Sequence, residues 1–236
     1  MHTLPKNTAP FQVSALAILY GPPLLFLTIT IVAHAYRNIP FEFFSRDPAS
    51  MAHMHPFDGI QSNVGVLIWW AGGAICLFCH LILRHAQVGS LVASFFLWSS
   101  IITFILTLDD FFLFHEVLAR RYLRISEKIV YLAYATLCAW YLAKFRQIIL
   151  RSNWLFLLAA FVFFGLSLFI DVFQSRWPWP SRIFFEDGFK LMGIVSWSGY
   201  LIRTCFQALR ATMTAQPDAK DYNSSRALRS LKAVAK

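Results

Sequence analysis

Six apolar stretches, each near the roughly 20 residues that carry a helix across hydrocarbon, constrain this chain more than anything else in it. They are Phe11–Tyr36, Ile60–Ile82, Val88–Phe114, Ile129–Leu150, Trp154–Phe173 and Ile183–Ile202. A bilayer interior offers no water to unpaired backbone groups, so such segments fold as helices that satisfy their own hydrogen bonds. The expectation is an all-α, polytopic integral membrane protein, a bundle of about six transmembrane helices. Composition agrees, with 58% hydrophobic and only 14% charged residues and a mean hydropathy of +0.55. No polar stretch is long enough for a second core, so 1–203 reads as one transmembrane domain and 204–236 as a basic tail.

Net charge then bears on topology and partners. In a water-soluble chain, +9 would suggest nucleic acid. Here the charge lies in short loops and the tail, so the expected partners are membrane lipids, with anionic lipid at the tail and no nucleic acid. Six spans put both termini on one face. That face carries 12 of the 21 Lys and Arg residues but only Asp218 and Asp221 of the 12 acidic ones. Lys/Arg enrichment marks a cytoplasmic face, which implies cytoplasmic termini in a bacterial-type inner or plasma membrane. Gly21-Pro22-Pro23 removes backbone donors and is expected to kink or break the first helix unless neighbours compensate. Ala33-His34-Ala35 resembles a signal-peptidase site. The apolar region before it is too long for a signal peptide and only Lys6 precedes it, so a retained helix is expected. Trp177-Pro178-Trp179-Pro180 reads as an interfacial aromatic anchor.

Against this background, Leu108-Asp109-Asp110-Phe111-Phe112-Leu113-Phe114-His115-Glu116 stands out. A charge at the bilayer centre costs about 3 kcal/mol on insertion scales, so carboxylates at membrane depth are functional candidates. The other acids fall at the same end. Only 12 residues separate Lys190 from Arg203, so the last helix must extend through Lys190 and towards Glu186-Asp187. Asp171 closes the fifth stretch, Glu127 opens the fourth, and the first loop adds His53, His55 and Asp58. On a regular helix, Asp109, Glu116 and Arg120 share a stripe of roughly 40°, while Asp110 and His115 diverge from it. Lys190 is spaced to pair with Glu186 or to reach Asp171 or Asp109. Gly193, Gly188 and Gly199 would let helices approach closely.

Three readings follow. A metal site would draw on Asp109, Asp110, His115, Asp171 and Asp187. With a divalent ion such as zinc, it would support hydrolysis or transfer on a lipid-like substrate. Glu116 or Glu186 would then act as general base, and Lys190 would stabilise developing negative charge. Gathering His and Asp from several helices resembles, in logic alone, intramembrane metal hydrolases of the alkaline-ceramidase kind. This chain lacks their paired histidines on the last helix and their seventh helix. The second reading is proton- or ion-coupled transport through the same groups. The third is structural or assembly: interhelical ion pairs that fix register.

Other signals carry less. Cys76-Leu77-Phe78-Cys79-His80 matches the haem-attachment pattern, but it lies within an apolar helix rather than an accessible loop. All four cysteines sit in apolar stretches, where a disulfide framework is not expected. No P-loop, dinucleotide fingerprint, H-E-x-x-H or G-x-S-x-G occurs.

Overall fold

The computed structural model describes residues 9–55, 57–173 and 182–215. Among these the chain is all-helical, with no strand. Six long helices occupy the six apolar stretches: α1 (Ala9–Arg37), α2 (Ile60–His85), α3 (Ser90–Phe111), α4 (Glu127–Arg151), α5 (Trp154–Phe173) and α6 (Arg182–Ala215). Four segments are long and apolar enough to cross a membrane: Leu19–Arg37, Ile60–His85, Ser90–Phe111 and Trp154–Phe173. α4 and α6 fall outside that set because they are interrupted by charge. α4 carries Lys128, Lys144 and Arg146, and α6 carries Glu186, Asp187, Lys190 and Arg203. The Trp177–Pro180 anchor and the tail beyond Ala215 lie outside the described residues. α6 itself runs past Arg203, with Thr204 and Cys205 buried.

The chain divides into two units, 1–58 and 59–236. In the first, α1 continues through Pro22 and Pro23 instead of breaking there. Past the prolines, the Thr28 and Thr30 hydroxyls donate to the carbonyls of Leu24 and Leu27 at 2.8 Å. Asp47 caps the short helix Pro48–Met51 by accepting from the Ala49 and Ser50 amides. Asp58 accepts from the His55 amide at 2.8 Å, and the His34 ring stacks on Phe41.

The second unit is built from α2 to α6. Four residues join α2 to α3 and two join α4 to α5, so these pairs run antiparallel. α2 packs along both α3 and α6, and α5 packs along α6. Glycine allows these approaches. A Cβ on Gly65 would meet Ile194 at 2.8 Å, on Gly72 the Ser198 hydroxyl at 3.0 Å, and on Gly193 the Phe164 ring at 2.7 Å. Gly193 thus acts as expected, whereas Gly188 and Gly199 face open space and the closer contacts come from α2. α4 is held differently, through the fully buried rings of Tyr141 and Phe145 stacked among Phe95 and Trp197.

Several polar groups inside the unit pair across helices, as burial away from water favours. Ser99 Oγ and Tyr141 OH lie 2.7 Å apart, Trp197 Nε1 donates to Thr103 Oγ1 at 2.9 Å, and Ser152 bonds Tyr200 at 2.9 Å. Cys76 and Cys79 are buried in α2 against Cys205, and His80 Nδ1 lies 2.7 Å from the Ala93 carbonyl. The haem-like pentapeptide is therefore part of a packed helix face.

Candidate functional site

At the end of the second unit where α3 and α5 finish and α4 and α6 begin, a cavity of about 540 Å³ opens. Its walls have two characters. Trp69, Leu106, Phe164 and Leu168 supply an apolar side, while Asp109, Asp110, His115, Glu127, Asp171, Glu186 and Lys190 supply a polar one. Six of the eight proposed site residues therefore converge: Asp109 and Asp110 of α3, Asp171 of α5, Glu186 and Lys190 of α6, and His115 from the turn that follows α3.

The geometry around Asp109 depends on how α3 ends. The helix stops at Phe111, and Leu113 takes a left-handed conformation with φ of 51°. A single π-helical turn, Phe114–Leu118, follows. The regular 100° rotation assumed for Asp109, Glu116 and Arg120 does not survive this break. Instead the chain folds back, so the Asp109 carboxylate accepts the His115 amide at 3.0 Å and holds His115 Nδ1 at 2.5 Å. Asp109 both fastens the turn and orients the imidazole. Because a carboxylate only accepts, Nδ1 carries the proton in this contact. The His115 ring also rests against Tyr131, with centroids 5.3 Å apart. Glu116 belongs to the π turn, and its side chain lies outside what the structure describes.

Asp110, expected off the stripe of Asp109, Glu116 and Arg120 but within the metal set, is buried and bonded to Lys190 across 80 residues of sequence. Lys190 therefore selects the acid next to Asp109, and neither Glu186 nor Asp171. Glu186 lines the cavity. Asp187 does not, although it stays within electrostatic reach of Lys190 and Asp110. Arg120, also in the cavity wall, pairs with Glu127 at 3.2 Å, an exposed contact of little energetic weight. The Tyr131 hydroxyl bridges Glu127 at 3.0 Å and Asp171 at 3.3 Å, linking α4 to α5.

Among the described residues, no three His, Cys, Asp or Glu side chains group as a metal site. The physical reason is the pairing itself: Asp109 is committed to His115, Asp110 to Lys190, and Asp187 stands off the cavity. The expected metal set of Asp109, Asp110, His115, Asp171 and Asp187 is thus replaced by pairs. Among the described residues, two buried side-chain polar atoms have no hydrogen-bond partner, Trp69 Nε1 and Asp110 Oδ2, and both belong to cavity residues. Unsatisfied buried groups are rare and concentrate where a protein does chemistry.

Sequence reasoning missed Tyr131, Tyr134 and Trp69. Tyr131 was accessible to it, since its i, i+4 spacing from Glu127 puts both on one helix face. Trp69 carried no signal in the sequence that it would reach the acidic end.

No curated protein and no solved structure matches this chain. A family model covers residues 24–204, spanning α2 to α5, the C-terminal half of α1 and the cavity-lining part of α6. The chain belongs to the family described as a domain of unknown function, DUF8692.

Proposed function

We propose that this is a six-span membrane protein with cytoplasmic termini, and that the cavity is an acid–base active site for hydrolysis of a lipid-like ester or amide. The observation that carries this reading is the Asp109–His115 contact in the wall of a cavity with one apolar and one charged side. The apolar side suits an acyl chain and the charged side suits the bond to be cleaved. His115 Nε2 takes a proton from water as the water oxygen bonds to the acyl carbon. When the tetrahedral species collapses, His115 returns that proton to the departing alkoxide or amine, giving the free acid and an alcohol or amine. Lys190, held by Asp110, supplies positive charge beside the oxyanion. Glu186 adds a second carboxylate at the rim.

The test is fatty-acid release, read by mass spectrometry, from vesicles holding the full chain and a mixture of acyl-ester and acyl-amide lipids. His115→Ala is expected to abolish release and Asp109→Asn to lower it about 10²–10⁴-fold, without loss of thermal stability. Release that persists in His115→Ala, or no release by the wild type, would refute the reading. A proton-transport reading draws support from the Tyr131 bridge between Glu127 and Asp171. It requires a proton flux into dye-loaded vesicles that Asp171→Asn or Lys190→Met changes.

A further inference from the structure

We propose that the opposite end of the second unit holds a groove for one anionic phospholipid, bounded by α3, α4 and α6. The groove encloses about 420 Å³, within the range of small-molecule pockets. One wall is apolar, formed by Val92, Phe96 and Ile148; the other presents Arg151, Gln147 and Gln207. The hydroxyls of Ser152 and Thr204 also line it, but they are spent on the Ile149 and Tyr200 carbonyls. The donors left for a ligand are thus one guanidinium and two amides, a set that suits a phosphate diester.

Charge complementarity identifies the occupant. Segments 60–108, 129–170 and 188–215 contain no Asp or Glu, while this end carries Arg84, Lys144, Arg146, Arg151, Arg203 and Arg210. A rim that is positive throughout its described residues attracts anionic lipid and disfavours cationic heads. Depth agrees as well. Lys144 Nζ sits 4.6 Å from the Trp140 ring centroid and 5.5 Å from that of Trp98, an aromatic cluster of the kind found at the headgroup boundary. Arg151 lies two helical turns beyond it, roughly 10 Å outward, where phosphates would lie. The apolar wall separates this groove from a free-phosphate site, because it has a use only when acyl chains are attached. The groove lies roughly 21 Å along α6 from Lys190, so it depends on the membrane reading and not on the catalytic one.

The experiment is native mass spectrometry of the full chain in detergent, titrated with phosphatidylglycerol or phosphatidylcholine. The first phosphatidylglycerol should bind about tenfold more tightly than phosphatidylcholine, and Arg151→Gln should remove about that factor. Arg146→Gln, the same charge change on the same helix but outside the groove, should alter the constant less than about twofold. Gln207→Leu should weaken binding in the same direction as Arg151→Gln without changing charge. Equal affinity for the two lipids would overturn the proposal. So would equal losses in Arg151→Gln and Arg146→Gln, or complete displacement by glycerol phosphate, which carries the head chemistry without chains.

Discussion

The Asp110–Lys190 pair makes an asymmetric demand on stability. The Asp110 side chain is 5% exposed and the Lys190 side chain 28%. One Asp110 oxygen already lacks a partner, and among the described residues Lys190 is the only cation bonded to this carboxylate. Lys190→Met therefore strands a buried charge, and loss of one member of such a pair costs about 3–5 kcal/mol. Asp110→Asn strands much less. The freed lysine is already partly solvated and has Glu186 and Asp187 one turn away on α6, so the expected cost is about 1–2 kcal/mol. The double variant removes both charges and should recover about 2 kcal/mol relative to the sum of the two single losses. Equilibrium unfolding of the four proteins in mixed micelles, followed by tryptophan emission, measures all three quantities. If Lys190→Met costs no more than Asp110→Asn, or if the two losses simply add, Lys190 is not neutralising a buried carboxylate.

Three further outcomes follow from the packing. Trp69→Phe discards a buried donor that has no partner, whereas Trp197→Phe discards one bonded to Thr103, so the second should cost at least about 1 kcal/mol more in the same unfolding assay. Gly193→Ala would set a Cβ 2.7 Å from the Phe164 ring and should cost about 1–3 kcal/mol, while Gly199→Ala enters open space and should gain up to about 1 kcal/mol. Leu113 holds a left-handed conformation that costs a non-glycine residue about 1–2 kcal/mol; Leu113→Gly should be neutral or stabilising and β-branched Leu113→Val destabilising, as melting temperatures will report.

How far the sequence could be read depends on which forces leave a pattern in it. The helices were legible because membrane-spanning length is a one-dimensional property, and even the charged α6 was correctly required to extend through Lys190. Convergence of Asp109, His115, Asp171, Glu186 and Lys190 on one end was legible for the same reason, since each sits at a segment boundary. Partners within the cluster were not. They hinge on Leu113, a residue type that gives no signal of a left-handed turn, and on a π turn that rotates His115 back onto Asp109. A helical wheel carried through that break assigns both neighbouring acids to the wrong company. The close contacts of Gly65 and Gly72 were equally silent, because spacing shows that a small residue is present but not which helix will meet it.

The pairs in the cavity also differ in when they can form during synthesis. His115 reaches back six residues to Asp109, so that contact closes as soon as the turn after α3 leaves the translocon. Tyr131 must wait 40 residues for Asp171, and Asp110 must wait 80 for Lys190. Until α6 is synthesised, the nascent chain carries the Asp110 carboxylate without the Lys190 ammonium that pairs with it. Arrest of synthesis between Phe173 and Lys190 should thus leave an intermediate with the His115 turn formed and α3 loosely inserted. Glycosylation mapping of arrested chains would detect this as α3 slipping towards the aqueous side, and the slippage should vanish in Asp110→Asn.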